Sequence, residues 1–221
     1  ANHNHEFIIS NPLGTFAVNA KNDSLTKSLP SFEYAHQSWL TNANTKDVFL
    51  DIGANIGFYS ILAVNHFGYT KSYAFEPNPE TADRLIKNIE LNNIQDSVTA
   101  CTYGLSNINS TATLSAKDIH TGGSSLISST AREGITHIDV TIKSFTTFLQ
   151  EQALKPDSIS FIKIDVEGYE HSVLLGLQPY LSDLRPGTCI FIEIHPHAKD
   201  ALDSHNLIKK AGFSLIKQSA Q

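Results

Sequence analysis

Apolar runs of strand length alternate along the chain with stretches of helical periodicity. Strand-like runs are predicted at residues 48–50, 71–75, 98–103, 160–165 and 189–194, with a last one at 213–217. Apolar residues at helical spacing follow them at 58–67, 79–92, 145–152, 170–177 and 199–211. This alternation of strand and helix predicts an α/β protein with a mostly parallel sheet.

Two further segments depart from the alternation. Runs with β character at 7–10 and 15–18 flank the turn residues 11–14, which predicts a hairpin, and an aromatic-rich helix is expected at 31–40. Residues 106–142 hold strand-like runs at 111–115 and 138–142 around a Gly/Ser-rich loop at 122–125, which is either a mobile lid or a solvated connection. We therefore expect an N-terminal extension over 1–46, a core domain over 47–221, and a hairpin insertion between strands three and four.

Composition and charge indicate which kinds of binding partner are disfavoured. The chain has 221 residues and a formal net charge of −6, and its Lys and Arg residues do not form a run, which argues against nucleic acid as the main partner. The sequence contains no apolar run of the roughly 18 residues that a membrane-spanning helix needs. Cys101 and Cys189 lie far apart in apolar segments, so we expect two buried thiols and a cytoplasmic protein.

The segment at 48–60 predicts a strand, a tight turn and the start of a helix. Asp51, Gly53, Asn55 and Gly57 alternate through the turn, and glycine there permits positive φ and close approach of a ligand. The spacing is not the G-x-G-x-x-G of a dinucleotide site. An acid in this place would repel a pyrophosphate and would suit an ammonium group, such as that of S-adenosylmethionine. Glu76 ends the next strand, where such sheets place a carboxylate that binds ribose hydroxyls.

Three segments together resemble the FkbM family of S-adenosylmethionine-dependent methyltransferases. They are DIGANIGFYS at 51–60, FEPNP at 75–79 and FIKIDVEGYE at 161–170, with GGSSL at 122–126 as a weaker match. The resemblance covers about residues 48–213. It implies a Rossmann-like class I methyltransferase sheet, S-adenosyl-L-methionine as cofactor, and methyl transfer to a hydroxyl of a sugar or another small molecule such as a natural product. Family members often carry Thr-Leu-Asp where this chain has residues 141–145, TIKSF, so any role of that Asp does not transfer.

The expected cofactor-binding residues combine the turn, the second acid and two neighbouring strand ends. They are Asp51, Gly53, Asn55, Gly57, Phe58, Glu76, Pro77, Gly104 and Asp165. Adenine is expected beyond the ribose, against the exit of the third strand.

Acids and histidines follow the fourth and fifth strands, at the edge where parallel strands end together. They are Asp165, Glu167, Glu193, His195 and His197. A hydroxyl acceptor loses a proton, and imidazole, with an unperturbed pKa of about 6.5, is a better proton acceptor than a carboxylate. We therefore predict His195 as the base and Asp165 as a positioning group, with Glu167 as an alternative base. Asp165, Glu193 and His195 could also hold a divalent metal, but the favoured prediction is a site without metal.

Three other functions stay open on the sequence. The chain could methylate nitrogen or a macromolecule, or it could bind the cofactor without catalysis. A nicotinamide dehydrogenase is disfavoured because the phosphate-binding glycine spacing is absent.

Overall fold

Parallel strands at the centre and two antiparallel hairpins make up the sheets of this protein. The computed structural model describes residues 6–19, 38–117, 135–194 and 201–216. The strands are β1 (Glu6–Asn11), β2 (Gly14–Asn19), β3 (Val48–Ile52), β4 (Lys71–Phe75), β5 (Val98–Cys101), β6 (Gly104–Ser106), β7 (Ser110–Lys117), β8 (Ile135–Ser144), β9 (Ile159–Ile164) and β10 (Cys189–Ile192). The helices are α1 (Phe58–Asn65), α2 (Pro79–Leu91), α3 (Phe145–Glu151), α4 (Glu170–Leu177) and α5 (Ala201–Lys210), with short 3-10 turns at Ser38–Thr41, Pro156–Ser158 and Gln178–Tyr180.

The central sheet has the order β10-β9-β3-β4-β5, and its neighbouring strands all pair in parallel. The chain fills one side of β3 first and then returns to the other side. β3 and β9 therefore flank the topological switch point, where α/β sheets bind their ligands beyond the carboxyl ends of the strands. The mostly parallel sheet predicted from the sequence is confirmed.

Alternating side chains of the strands build a separate core on each face of the sheet. Phe49 and Phe161 belong to one buried cluster, together with residues of α1 and α2. Leu50 and Ile162 belong to the other, together with α3 and α4. The strands are buried on both faces, which explains their continuous apolar runs.

The start of α2 has residues that favour a helix N-terminus. Asn78 precedes the helix and its Oδ1 accepts a hydrogen bond from the Glu80 N–H at 3.1 Å. Pro79 occupies the first helical position, where its missing N–H costs nothing. Glu80 places an acid in the first turn.

The predicted N-terminal hairpin is confirmed, and it packs on α2. β1 and β2 pair antiparallel across the turn at residues 12 and 13. The buried side chain of Asn88 accepts a hydrogen bond from the Ala17 N–H at 2.6 Å and donates one to the Ile56 carbonyl at 2.8 Å. Asn92 bonds both the N–H and the carbonyl of Thr15. Asn88 of α2 thus ties the hairpin to the segment that follows β3, and Asn92, the C-cap of α2, holds the hairpin to the end of the helix.

The predicted hairpin insertion is also confirmed, and it forms a second sheet. β7 and β8 pair antiparallel, and the short β6 joins them in the order β6-β8-β7. β8 passes directly into α3, because Ser144 is both its last residue and the N-cap of the helix, with Oγ accepting from the Thr147 N–H at 3.0 Å. The Ser144 N–H in turn donates to Asn109 Oδ1 at 2.7 Å.

Some predicted elements differ or fall outside the described residues. The strand predicted at 213–217 is wrong over 213–216, where the chain pairs with none of the strands that the structure describes and Leu215 and Ile216 are exposed. The described end of the predicted helix at 31–40 is a 3-10 turn, and the rest of it lies outside the described residues, as does the loop at 122–125. Cys101 is a buried thiol as expected, whereas Cys189 is only half-buried.

Candidate functional site

The turn after β3 has the left-handed backbone that its glycines predicted. The φ angles are 81° at Gly53, 51° at Asn55 and 89° at Gly57. Its amide groups, however, are bonded within the protein. The N–H groups of Gly53 and Ala54 both donate to the Phe75 carbonyl, at 3.1 and 2.9 Å, and the Gly57 N–H donates to the Ala54 carbonyl at 2.9 Å. The first two amides hold the turn against β4, and the third closes the turn on itself.

Both glycines are required by the close packing of the protein itself. A Cβ atom at Gly53 would lie 1.8 Å from the backbone oxygen of Asp165, so the turn and the end of β9 touch through backbone. A Cβ atom at Gly57 would lie 2.5 Å from Leu85 Cδ1, on α2. The glycines therefore close the gap between neighbouring segments at the switch point.

Glu76 has the position and the environment of a ribose-binding carboxylate. Its Oε2 accepts a hydrogen bond from the Asn55 N–H at 3.0 Å, and its Oε1 accepts one from the Asn78 N–H at 2.9 Å. Burial raises the pKa of this partly exposed carboxyl to about 7, against the opposing effect of the two amide donors and of Lys163. Each oxygen keeps a second lone pair that can accept from a ligand hydroxyl.

The Asp51 side chain is more deeply buried than direct contact with a ligand ammonium would require. Its side chain is 0% exposed, Ser60 Oγ donates to its Oδ2 at 2.8 Å, and Lys163 Nζ lies 3.4 Å from its Oδ1. The expectation that Asp51 directly meets a ligand ammonium is therefore not supported by this conformation. The ammonium that faces Asp51 belongs to the protein.

Lys163 is the site residue that the sequence analysis missed. Its Nζ lies 3.3 Å from Asp165 Oδ2 and donates to the Gly53 carbonyl at 3.1 Å, and its side chain is 4% exposed. It also lies over the Tyr59 ring, 5.2 Å from the ring centre. A lysine inside the apolar run of β9 was the available signal, because lysine is almost never fully buried unless it is paired.

The predicted catalytic residues are only partly described. The Asp165 side chain is 26% exposed at the edge of the sheet. Glu167 has a φ of 52°, which is uncommon for a residue with a side chain. The Glu193 N–H donates to the Ile164 carbonyl at 2.9 Å, which brings the exit of β10 to the same edge. His195 and His197 lie outside the described residues. Within the described ranges, no group of three His, Cys, Asp or Glu residues is placed to hold a metal ion.

Of three other predicted cofactor-binding residues, Phe58 packs in the core, whereas Pro77 and Gly104 lie near the ends of the strands. The Phe58 side chain is 3% exposed, with its ring centre 5.7 Å from that of Phe16, so its ring belongs to the core and not to a ligand surface. Gly104 and Pro77 are neighbours, since a Cβ atom at Gly104 would lie 3.8 Å from Pro77 Cβ. A Cβ there would also lie 2.8 Å from Ile142 Cδ1, so glycine at 104 leaves room for β8.

An aromatic pocket adjoins Lys163 on the face of the sheet that carries Phe49. Its volume is about 230 Å³, including its open mouth. The lining residues are Trp39, Leu40, Phe49, Tyr59, Phe161, Lys163 and Phe191. The 3-10 turn at Ser38–Thr41 supplies two of them, so the segment before the sheet contributes to the wall of this pocket.

A glycine turn, a carboxylate held by two amides and an acidic edge at the switch point define a nucleoside-binding α/β protein. Residues 51–215 match the family model of the methyltransferase FkbM domain. The chain belongs to this methyltransferase family, which confirms the resemblance noted in the sequence.

Curated relatives of this chain are also named methyltransferases. The chain is 29% identical over 175 residues to the hexuronic acid methyltransferase AglP of Haloferax volcanii, covering 79% of this chain and 66% of the relative. It is 31% identical over 163 residues to methyltransferase sdnD of Sordaria araneosa, covering 62% of this chain and 63% of the relative. The chain thus spans slightly less than two thirds of the length of these two relatives.

Solved structures give a weaker likeness. The crystal structure of an FkbM methyltransferase from Methylobacillus flagellatus KT has a TM-score of 0.47 at 18% identity, over 73% of this chain and 36% of that one. The structure of M. jannaschii TYW2 in complex with AdoMet has a TM-score of 0.47 at 14% identity, over 98% of this chain and 78% of that one. The fold assignment rests on the strand order and the family match.

Proposed function

We propose that this chain is an S-adenosyl-L-methionine-dependent methyltransferase that methylates a hydroxyl of a sugar or another small molecule. The observation that carries the proposal is the Glu76 carboxylate, held by the amides of Asn55 and Asn78 beside the turn at the switch point. In a chain of the FkbM methyltransferase family, that carboxylate is suited to the ribose hydroxyls of the cofactor.

The charges of the site support a cationic cofactor. Glu76, Asp165 and Glu193 reach the carboxyl edge of the sheet, and the buried Lys163 already faces two carboxylates there. Such an edge attracts a sulfonium and would repel a pyrophosphate. This supports S-adenosylmethionine over a nicotinamide dinucleotide.

The chemistry of transfer needs positioning and the removal of one proton. The acceptor oxygen forms a bond to the methyl carbon as the sulfur–carbon bond breaks, which gives a methyl ether and S-adenosylhomocysteine, and the hydroxyl proton goes to a base. Asp165 is the half-exposed carboxylate at this edge and is proposed to orient the acceptor. His195 stays the proposed base, two residues beyond Glu193.

A sugar acceptor is supported by the relative named hexuronic acid methyltransferase and by the aromatic pocket beside the polar edge. A hexuronic acid offers hydroxyls and a carboxylate. Methylation of the hydroxyl gives an alkali-stable ether, whereas methylation of the carboxylate gives an ester that mild alkali cleaves. Treating the product with alkali therefore distinguishes the two acceptors.

The cytoplasmic location and the absence of a nucleic-acid partner stay predictions from composition. None of the described helices is long and apolar enough to cross a bilayer.

Calorimetry with S-adenosylmethionine and S-adenosylhomocysteine tests the cofactor. Glu76→Ala should weaken binding by about 1–3 kcal/mol, because ribose hydroxyls lose their acceptor. Glu76→Gln, which keeps the shape of the side chain, separates the charge from the packing. Unchanged affinity in Glu76→Ala, or no binding to the unaltered protein, would contradict the proposal.

The same carboxylate predicts a pH dependence of binding. Because the pKa of Glu76 is raised to about 7, the group is largely protonated at pH 6 and largely ionised at pH 8. Ligand hydroxyls donate best to the ionised form, so affinity should be roughly tenfold weaker at pH 6 than at pH 8. Measuring 5′-methylthioadenosine, which lacks the amino acid group, avoids titration of the ligand, and Glu76→Gln should remove the dependence.

Turnover tests the acceptor and the base. Transfer of labelled methyl to a panel of neutral sugars and hexuronic acids identifies the acceptor class. On any acceptor found, His195→Ala should lower kcat by roughly 10²–10⁴ with cofactor binding intact. Turnover close to that of the unaltered protein would leave Asp165 or Glu167 as the base.

A further inference from the structure

A buried lysine joins three segments that meet at the switch point. Lys163 Nζ contacts the carboxylate of Asp51 at the end of β3, the carbonyl of Gly53 in the turn and the carboxylate of Asp165 after β9. The ammonium group donates a hydrogen bond to the Gly53 carbonyl, and the carboxylates of Asp51 and Asp165 lie within ion-pair distance of it. One side chain thus spans the whole gap between the turn and β9.

Exposure rises in steps along this chain of contacts. The side chains of Asp51, Lys163 and Asp165 are 0%, 4% and 26% exposed. Behind Asp51, Ser60 donates to its carboxylate and Ser72 Oγ donates to Ser60 Oγ at 3.1 Å. Asp51 and Lys163 are therefore fixed from inside the sheet, and Asp165 is the member that can touch a ligand.

Lys163 holds the side of the site that β3 and β9 form. Glu76 follows β4, whereas Gly53 follows β3 and Asp165 follows β9, and the backbones of Gly53 and Asp165 lie against each other. If Glu76 binds the ribose and the adenine extends toward β5, the amino-acid end of the cofactor extends over β3 and β9.

We propose that Lys163 is a positioning residue that holds the Gly53 turn and the Asp165 carboxylate in place for the amino-acid end of the cofactor. The proposal rests on the proposed function. A simpler role would be to neutralise the buried Asp51 and stabilise the fold. The two roles differ in what happens when the Asp51 charge is removed first.

A double-mutant cycle of Lys163→Met and Asp51→Asn separates these roles. Each protein is titrated with S-adenosylmethionine and with 5′-methylthioadenosine, which shares the nucleoside but lacks the amino-acid end, and its thermal unfolding is measured in parallel. Lys143→Met is the matched control, since Lys143 also lies in a strand and pairs with an acid, Glu151, but is half-exposed.

In the Asp51→Asn background, Lys163→Met should weaken S-adenosylmethionine by roughly 10- to 100-fold, because the hydrogen-bonded ammonium is lost. At about pH 9, where Glu76 is ionised whether or not Lys163 lowers its pKa, the affinity for 5′-methylthioadenosine should stay within about threefold, which is about 0.7 kcal/mol. Lys143→Met should change neither affinity.

Two results would overturn the proposal. Equal loss of both ligands would mean that Lys163 supports the site only as part of the fold. Full retention of S-adenosylmethionine affinity in the double variant, relative to Asp51→Asn, would mean that Lys163 only neutralises Asp51. Lys163→Met alone leaves the buried Asp51 charge unpaired and could fail to fold. In that case the double variant is compared with Asp51→Asn, because neither of these proteins has a charge at residue 51. Failure of the unaltered protein to bind either ligand would refute the proposed function instead.

Discussion

Replacing Gly53 by alanine tests whether backbone contact at the switch point holds this site together. The φ angle of Gly53 is 81°, and a Cβ atom would lie 1.8 Å from the Asp165 carbonyl oxygen. Gly68 offers a matched control, because its φ is 76° and a Cβ atom there would meet nothing within 4 Å. Both substitutions place a side chain in the left-handed region, and only one creates a clash.

The difference between the two variants can be worked from these contacts. The left-handed backbone costs roughly 1–2 kcal/mol for alanine at either position, and it cancels in the comparison. At Gly53 the oxygen must also move away by more than an ångström, although the Asp165 N–H is bonded to the Ile52 carbonyl at 3.0 Å. Overpacking costs about 1–3 kcal/mol and a disrupted buried hydrogen bond about 1–3 kcal/mol, so we expect a difference of about 3 kcal/mol or more.

Urea unfolding gives the free energy directly, and thermal unfolding provides a second measure. For a chain of this size, 3 kcal/mol corresponds to a difference in Tm of roughly 6–12 °C. Gly57→Ala should fall between the two, because the atom it would meet is Leu85 Cδ1, the end of a flexible side chain. If Gly53→Ala and Gly68→Ala have the same free energy of unfolding, the close approach of the turn to β9 is refuted.

Three other substitutions test the contacts of α2 and its C-cap and the turn after β9. Asn88→Ala should destabilise the protein by roughly 2–4 kcal/mol in urea unfolding, since it leaves the buried Ala17 N–H and Ile56 carbonyl unpaired. Asn92→Ala should lower the free energy of unfolding by less, because Asn92 is half-buried. A larger loss of stability in Asn92→Ala than in Asn88→Ala would contradict this reasoning. Glu167→Gly should raise the free energy of unfolding by about 1 kcal/mol, because it relieves a φ of 52°. Lower turnover of this more stable variant would show that the carboxylate acts in catalysis, and a loss of stability would show that its contacts outweigh the strain.

Local signals in the sequence were enough for most of the fold. The Asn78-Pro79-Glu80 start of α2 and the glycine turn after β3 depend on residues close in sequence, and the structure shows the expected cap and φ angles. The parallel pairing of the central strands followed from the β-α alternation, because parallel strands need crossover connections. The short β6 escaped prediction, since three residues carry no periodicity.

Long-range contacts account for what the sequence did not reveal at the site. Asp51 was expected to face a ligand ammonium, but Lys163, far away in sequence, lies against it once β3 and β9 pair. Phe58 follows the turn in sequence, yet its ring packs on Phe16 of the hairpin. The strand expected at 213–217 pairs, over its described residues 213–216, with none of the described strands.

The direct passage of β8 into α3 limits how insertion length can vary in evolution. One residue added within β8 would turn its side chains to the opposite face and would move Ser144 from its capping position. The same shift would withdraw Phe145, which is 1% exposed, from the second core. Length differences among relatives should therefore be absent from β8, so that α3 and the core beneath it keep their register.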